Sequence, residues 1–313
     1  MASLQAHFVA FMVRQQVKRR LRGATTVGQI KAVFEGLTLP APRGVRFREA
    51  SLGGVPGEWA ESEGSAAPAR ATLLYLHGGG FVACSALTHR PITGWFALHG
   101  FRVFAPNYRL APDHPFPAAI EDSVAAWRAL LEVPGVLPGP AVVAGDSAGG
   151  NLALAMMLAL RDEGAVLPGA AALFSPATDL TGSGASVQSN ARRDAMFIAE
   201  KLLPLGEAYL GTTDPRTGLA SPLFADLAGL PPLLVHVGER EMLRDDSVRL
   251  AEQARRAGVT VDLDVWPVVP HVWQIAHGTV PEARRSLQAA AAFLHRAGAI
   301  PRPATPGSAL PVT

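Results

Sequence analysis

Apolar residues along the 313-residue chain change their rhythm near position 45. Beyond it, short apolar runs alternate with segments whose apolar positions recur every three or four residues, the mark of strands alternating with helices. The runs "RATLLYLHGGG", "FRVFAPNYRL", "PAVVAGDS", "AALFSP" and "PPLLVHVGE" read as buried strands, and "VRFREASL" and "GEWAES" as two short opening strands. From Pro117 to Leu131, Ala118, Ile120, Val124, Trp127 and Leu131 stand at helical spacing; a second helix follows Ser147, and a last one runs from Pro281 to Arg296. In "VTVDLDVW", Val259, Val261, Leu263 and Val265 alternate onto one face, as suits a strand near a sheet edge. The alternation predicts an α/β fold: a mainly parallel central sheet covered by helices on both faces.

Two stretches fall outside this alternation. Residues 1–45 and about 183–212 look helical, carry no strand of their own, and are candidates for a small helical cap over a core spanning 46–298. The segment 299–313, "AIPRPATPGSALPVT", is rich in proline and small residues and reads as a flexible tail. In "MASLQAHFVAFMVRQQVKRRLRG" the apolar part precedes the basic part, the reverse of a signal peptide, and it is too short to cross a bilayer. A basic amphipathic helix of this kind either lies on a membrane or packs on the protein. Packing is the favoured reading, with Leu4, Phe8, Phe11 and Met12 on the inward face, and no stable membrane anchor is expected.

Composition narrows the classes. With 49% apolar and 17% charged residues the chain can bury a large core. A net charge of +2, with no basic cluster interleaved with aromatics, argues against nucleic acid as a partner. The single cysteine, Cys84, excludes an internal disulfide and fits a reducing, cytoplasmic setting. No His, Cys and Asp residues stand at metal-ligand spacing, so neither metal nor cofactor is expected.

The chemistry concentrates in two glycine motifs. Gly145-Asp146-Ser147-Ala148-Gly149 lies between a strand and a helix and fits G-x-S-x-G, in which a sharp turn lifts a serine side chain into the open. Capping of the helix is the plainer role for such a serine. The Ala148 N–H, at the helix start, would face a developing oxyanion. Upstream, His77-Gly78-Gly79-Gly80-Phe81 ends a strand, and glycines there can turn backbone N–H groups toward the same oxyanion. A phosphate loop is disfavoured, because its lysine and hydroxyl residue are missing.

Together "YLHGGGFV", "NYRLAPDHPFPAA" and "GDSAGG" give the chain a close resemblance to the bacterial hormone-sensitive-lipase-like esterases, family IV of the lipolytic enzymes, from about Ala71 to His271. The resemblance implies an α/β-hydrolase core, a helical cap made partly from the N-terminus, and hydrolysis of small carboxylic esters of short to medium acyl chain. A serine nucleophile needs a base, and the base an orienting carboxylate, in the chain order Ser, acid, His. After "PPLLVHVG" the acids are Glu239, Glu241, Asp245 and Asp246. The family often shows D-x-L-x-D here; Glu241-Met242-Leu243-Arg244-Asp245 puts Glu241 at the first acidic position, with Asp245 as the alternative.

Of nine histidines, His271 in "PVVPHVWQ" lies in the loop where the fold places its base, whereas His77, His236 and His277 suit structural roles, and nothing marks out His89, His99 or His114. Tyr108, Arg109 and Asp113 would brace the floor of the site, and Asp146 would pair with a nearby base to fix the turn. The expected site is therefore Ser147, Glu241 and His271, with an oxyanion hole from Gly78, Gly79, Gly80 and Ala148 and an acyl pocket lined by Phe8, Met12, Met196 and Phe197. Competing readings are a deacetylase or lactonase with the same residues, and a hydrolase-fold binding protein without catalysis. A homodimer is compatible with the sequence.

Overall fold

A computed structural model describes residues 2–298 apart from 37, 64–68, 70 and 138; the expected tail, 299–313, lies outside the described residues. Eight strands form one sheet: β1 (Val45–Leu52), β2 (Val55–Ser62), β3 (Ala71–Leu76), β4 (Phe101–Pro106), β5 (Ala141–Asp146), β6 (Ala171–Phe174), β7 (Leu233–Gly238) and β8 (Val261–Trp266). Their spatial order is β1-β2-β4-β3-β5-β6-β7-β8. β1 and β2 pair antiparallel, as do β2 and β4, and every other neighbouring pair is parallel.

The strand pleat sorts side chains into two cores. Leu74, Leu76, Val143, Leu173 and Val235 meet the helices α5 (Ala118–Leu131), α6 (Ala148–Asp162) and α9 (Arg244–Arg256) on one face. Leu73, Tyr75, Val142, Phe174 and Leu234 meet α4 (Arg90–Leu98) and α10 (Pro281–Gly298) on the other. Because both faces are covered, β3, β5, β6 and β7 are fully buried and largely apolar, with Thr72, Asp146 and His236 as their polar residues. The edge strand β8 is less uniform: Val261 is buried, Leu263 half-buried and Val265 exposed, so the apolar face expected there fades along its length.

The regions without strands are helical. α1 (Leu4–Val13) continues through a π turn at Arg14–Lys18 into α2 (Arg19–Gly23), and α3 (Val27–Glu35) starts on a Thr26–Gln29 capping box. Between β6 and β7 lie α7 (Ser186–Ser189) and α8 (Ala199–Leu210).

The expected inward face of α1 is wrong. Leu4, Phe8 and Phe11 are 86%, 61% and 55% exposed, while Ala6 is buried against Val269, Trp273, Val280 and Ala283. The segment "LQAHFVAFMV" is apolar almost all round, so periodicity does not choose a face. Close docking does: alanine lets α1 approach α10, and Ser3 ties the approach by donating from its N–H and Oγ to Glu282, both at 2.7 Å.

Candidate active site

The C-terminal ends of three parallel strands converge, the position where open α/β sheets hold their ligands. Ser147 follows β5 directly, Glu241 lies three residues beyond β7, and His271 five beyond β8. Ser147 sits at φ 52°, ψ −118°, a conformation non-glycine residues rarely adopt. The turn closes only because its flanks lack side chains. A Cβ on Gly145 would lie 2.4 Å from the Gly149 carbonyl oxygen, and one on Gly149 would lie 1.9 Å from that of Leu76. The Ser147 N–H donates to Phe174 at 2.8 Å, and its carbonyl accepts from Asn151 and Ala177, so the strained residue is held from both sides.

His271 is buried and its Nδ1 lies 2.6 Å from Glu241 Oε2. Glu241 Oε1 accepts from Ser175 Oγ at 2.8 Å and from the Gly238 N–H at 2.6 Å. The neighbouring acids are engaged elsewhere. Asp245 accepts from the Ser186 N–H and from Arg244, Glu239 pairs with Arg193, and Asp246 accepts from the N–H groups of Thr178 and Asp179. Burial and the facing Asp179 push the Asp246 carboxyl up to about 7. The His271 loop is strained on both sides: Val268 and Val272 take φ of 67° and 50°, costly for β-branched residues. Phe197 covers the imidazole, its ring centroid 4.5 Å away.

Ser147 and His271 line one cavity of about 510 Å³ together with Gly79, Gly80 and Ala148. No hydrogen bond joins Ser147 Oγ to His271 Nε2, and Nε2 is buried with no partner among the described residues. Gly79 and Gly80 adopt φ of 123° and 63°, and a Cβ on Gly79 would lie 2.2 Å from the Ala83 carbonyl oxygen. Gly78 does not line the cavity; it packs against Asp146, where a Cβ would lie 2.2 Å from Oδ2. Much of the remaining wall is apolar and comes from both helical regions, including Val9, Met12 and Val13 on one side and Met196, Phe197 and Leu205 on the other, with Gln16, Asp179 and Asp246 among its polar residues. Phe8, expected in this wall, points to solvent instead. Cys84 also lines the cavity, and burial pushes its thiol up to about 12.

Beneath the turn lies a buried polar layer. Asp146 accepts from Tyr75 Oη at 2.7 Å and lies 3.2 Å from His89 Nε2. Burial alone would raise its carboxyl; the charge of His89 and the hydrogen bonds from His89 and Tyr75 outweigh it and hold the group below the usual range. His89 is thus the base that fixes the turn, although its sequence context does not mark it. His77 stacks on Tyr108 at 4.2 Å, its Nδ1 meets the Gly78 carbonyl at 2.8 Å, and burial drives its pKa down to about 3. Tyr108 donates to the His77 carbonyl at 2.6 Å. Arg109 pairs with Asp122 and Glu121 of α5, whereas Asp113 is exposed and braces nothing among the described residues. His236 and His277 are structural, meeting Ser286 and the Pro91 carbonyl.

Sequence reasoning also missed the support behind Glu241. Asn190 donates to the carbonyls of Glu239 and Glu241, and the buried Asp194 accepts from the N–H groups of Met196, Phe197 and Met242. Burial raises the Asp194 carboxyl.

This architecture is that of an α/β hydrolase, and residues 73–275 match the model of an alpha/beta hydrolase fold family. The chain is 47% identical over 227 residues to an acetyl-hydrolase of Streptomyces hygroscopicus, covering 72% of this chain and 76% of that one. It is 38% identical over 252 residues to an esterase of Acinetobacter venetianus, covering 80% and 82%. A crystal structure of an esterase from the bacterial hormone-sensitive lipase family superposes with a TM-score of 0.87 at 39% identity, covering 95% of this chain and 99% of that one. The chain belongs to the bacterial hormone-sensitive-lipase-like esterases of the α/β-hydrolase fold and is a carboxylic ester hydrolase.

Proposed function

We propose that this esterase hydrolyses short- to medium-chain carboxylic esters through a covalent acyl-enzyme on Ser147. One observation carries the reading: a strained, glycine-flanked serine shares a cavity with a buried histidine whose far nitrogen is bonded to a glutamate. His271 Nε2 takes the proton as Ser147 Oγ bonds to the ester carbonyl carbon. The carbonyl oxygen, now negative, is received by the N–H groups of Gly79, Gly80 and Ala148, the last at the positive end of α6. Glu241 holds the imidazolium through Nδ1. His271 then returns the proton to the leaving alkoxide, the C–O bond breaks, and the alcohol departs. Water, deprotonated by His271, attacks the acyl carbon, and Ser147 recovers its proton as the acid leaves. The missing Oγ–Nε2 hydrogen bond suits this course, since such contacts are often loose before substrate binds. Gly78 serves the loop by packing on Asp146 rather than by facing the oxyanion.

The two helical segments act as a cap, and its apolar wall takes the acyl chain. Likeness to the Streptomyces acetyl-hydrolase favours the shortest acyl groups, including an acetyl ester on a larger metabolite. Labelling with a fluorophosphonate tests the nucleophile: wild type gains one adduct on Ser147, and Ser147→Ala gains none and loses turnover. Adduct formation on the alanine variant would overturn the assignment. A p-nitrophenyl ester series from acetate to palmitate reads the cap, with kcat/KM expected to fall steeply at the long end.

A further inference from the structure

Helix α1 has a second side that the ester chemistry does not use. Leu4, Phe8 and Phe11 project from it at 86%, 61% and 55% exposure, spaced four and three residues apart so that they form one outward stripe. The same stripe continues through Arg14 and Gln15 to Arg19 and Arg22, all exposed. Across the first 34 positions there are six Lys or Arg residues and no acid before Glu35, although the whole chain nets only +2. Lys18 is spoken for, its Nζ donating to the carbonyls of Ala191 and Asp194, and Arg14 caps the carbonyls at 192–194. Arg19, Arg20 and Arg22 have no hydrogen-bonding or acidic partner among the described residues. Arg14, Lys18, Arg19 and Arg22 surround, with Gln15, a surface groove of about 300 Å³.

The outward stripe is not an inward face left unpacked. Ala6 is buried, Ser3 is tied to Glu282, and Val9, Met12 and Val13 line the cavity, so α1 is fixed with its larger apolar side chains outward. A helix that presents large apolar residues beside unpaired cations, in a segment with no acid before Glu35, complements an interface that offers acyl chains and phosphates side by side. We propose that the α1–α2 face docks reversibly on an anionic lipid surface, with Leu4, Phe8 and Phe11 entering the headgroup boundary and Arg19 and Arg22 meeting lipid phosphates. The docked helix is also one wall of the ester-binding cavity, so the enzyme sits where membrane-dissolved esters are found. This docking stands whether or not Ser147 is the nucleophile.

Co-sedimentation with vesicles tests it, comparing mixed phosphatidylglycerol–phosphatidylcholine with pure phosphatidylcholine. Wild type is expected to partition onto the mixed vesicles and far less onto the zwitterionic ones, with binding that weakens as salt rises. Arg19→Gln/Arg22→Gln should lower the partition coefficient about thirtyfold, from roughly fivefold per cation near a charged surface. Phe8→Ser should lower it about tenfold or more. Both variants should keep wild-type hydrolysis of p-nitrophenyl acetate in solution, which shows that they fold. Absence of wild-type binding, or equal binding to both vesicle types, would overturn the proposal. So would a wild-type dimer in solution that Phe8→Ser converts to monomer without any vesicle binding, since the stripe would then cover a second copy.

Discussion

Glu241 gives its two oxygens different tasks: Oε2 meets His271 Nδ1 at 2.6 Å, while Oε1 is held by Ser175 at 2.8 Å and by the Gly238 N–H at 2.6 Å. A carboxylate gripped through one oxygen presents the other in a fixed direction. Glu241→Gln should therefore lower kcat about ten-thousand-fold with an unchanged far-UV circular dichroism spectrum, by the precedent of triad acids. Asp245→Asn should leave kcat within about twofold, because Asp245 is committed to Ser186 and Arg244. Steady-state kinetics decide; a large loss in the asparagine variant instead would move the acid to Asp245.

The serine turn makes a stability prediction. Gly149→Ala drives a methyl to within 1.9 Å of the Leu76 carbonyl oxygen, a backbone atom that cannot step aside cheaply. Overpacking of this kind costs about 1–3 kcal/mol or more, and calorimetry should show Tm lowered by roughly 2–5 °C or more. Gly28→Ala is the control: the new methyl meets nothing nearer than Thr26 Oγ1 at 4.0 Å inside α3, so Tm should hold or rise slightly.

The pair under the turn should show coupling. His89→Gln takes from the buried Asp146 carboxylate its imidazole partner, and losing a hydrogen bond to a buried charged group costs about 1.5–3 kcal/mol. Asp146→Asn in the same chain removes the stranded charge and should recover part of that loss. Urea denaturation of both single variants and the double measures it; additive effects would mean that the two side chains do not act together. Because Asp146 packs on Gly78, the single variants should also lower kcat by loosening the glycine loop.

His77 predicts a pH response. Its folded pKa is depressed by burial from 6.5 to about 3, so below pH 6.5 the unfolded chain binds a proton that the folded ring refuses. Stability falls as pH drops through that window, by up to about 1.4 kcal/mol per pH unit from this group. His77→Phe, which keeps an aromatic face for Tyr108, should show a shallower fall in Tm between pH 7 and pH 4, both pH values taken as roughly spanning the window. Parallel slopes in the two proteins would sink the attribution.

Much of this was readable from residue order alone. Ser147 and the glycine loop were legible because a close-packed turn restricts residue type at short range, and the buried parallel strands because both of their faces are apolar. Chain order leaves Glu239, Glu241, Asp245 and Asp246 open as the acid, and the resemblance to the family's D-x-L-x-D pattern is what points to Glu241, as the resembled fold points to His271. What escaped depended on partners far away in sequence. His89 acquires meaning only from Asp146, 57 positions on, and Ser175 only from Glu241, 66 positions on. Arg109 was placed beside the site but pairs with α5, since its local neighbours do not reveal which helix passes alongside. The orientation of α1 escaped for another reason: a segment apolar on every side leaves the choice of face to whichever side admits the closest approach.

The link from Ser3 to Glu282 spans 279 positions, whereas the glycine loop and the serine turn, with the Phe174 and Ala177 contacts that hold the serine, lie within residues 73–177. Closing the distant contact costs about 1 kcal/mol more in chain entropy than closing the near ones, since loop cost grows only with the logarithm of length. A chain whose sheet is complete can hold Ser147 in position while α1 is still undocked from one side of the cavity. Esterase activity toward the smallest substrates should return earlier during refolding than selectivity among chain lengths. Anything fused ahead of Ser3 would disturb that selectivity before it disturbed the core.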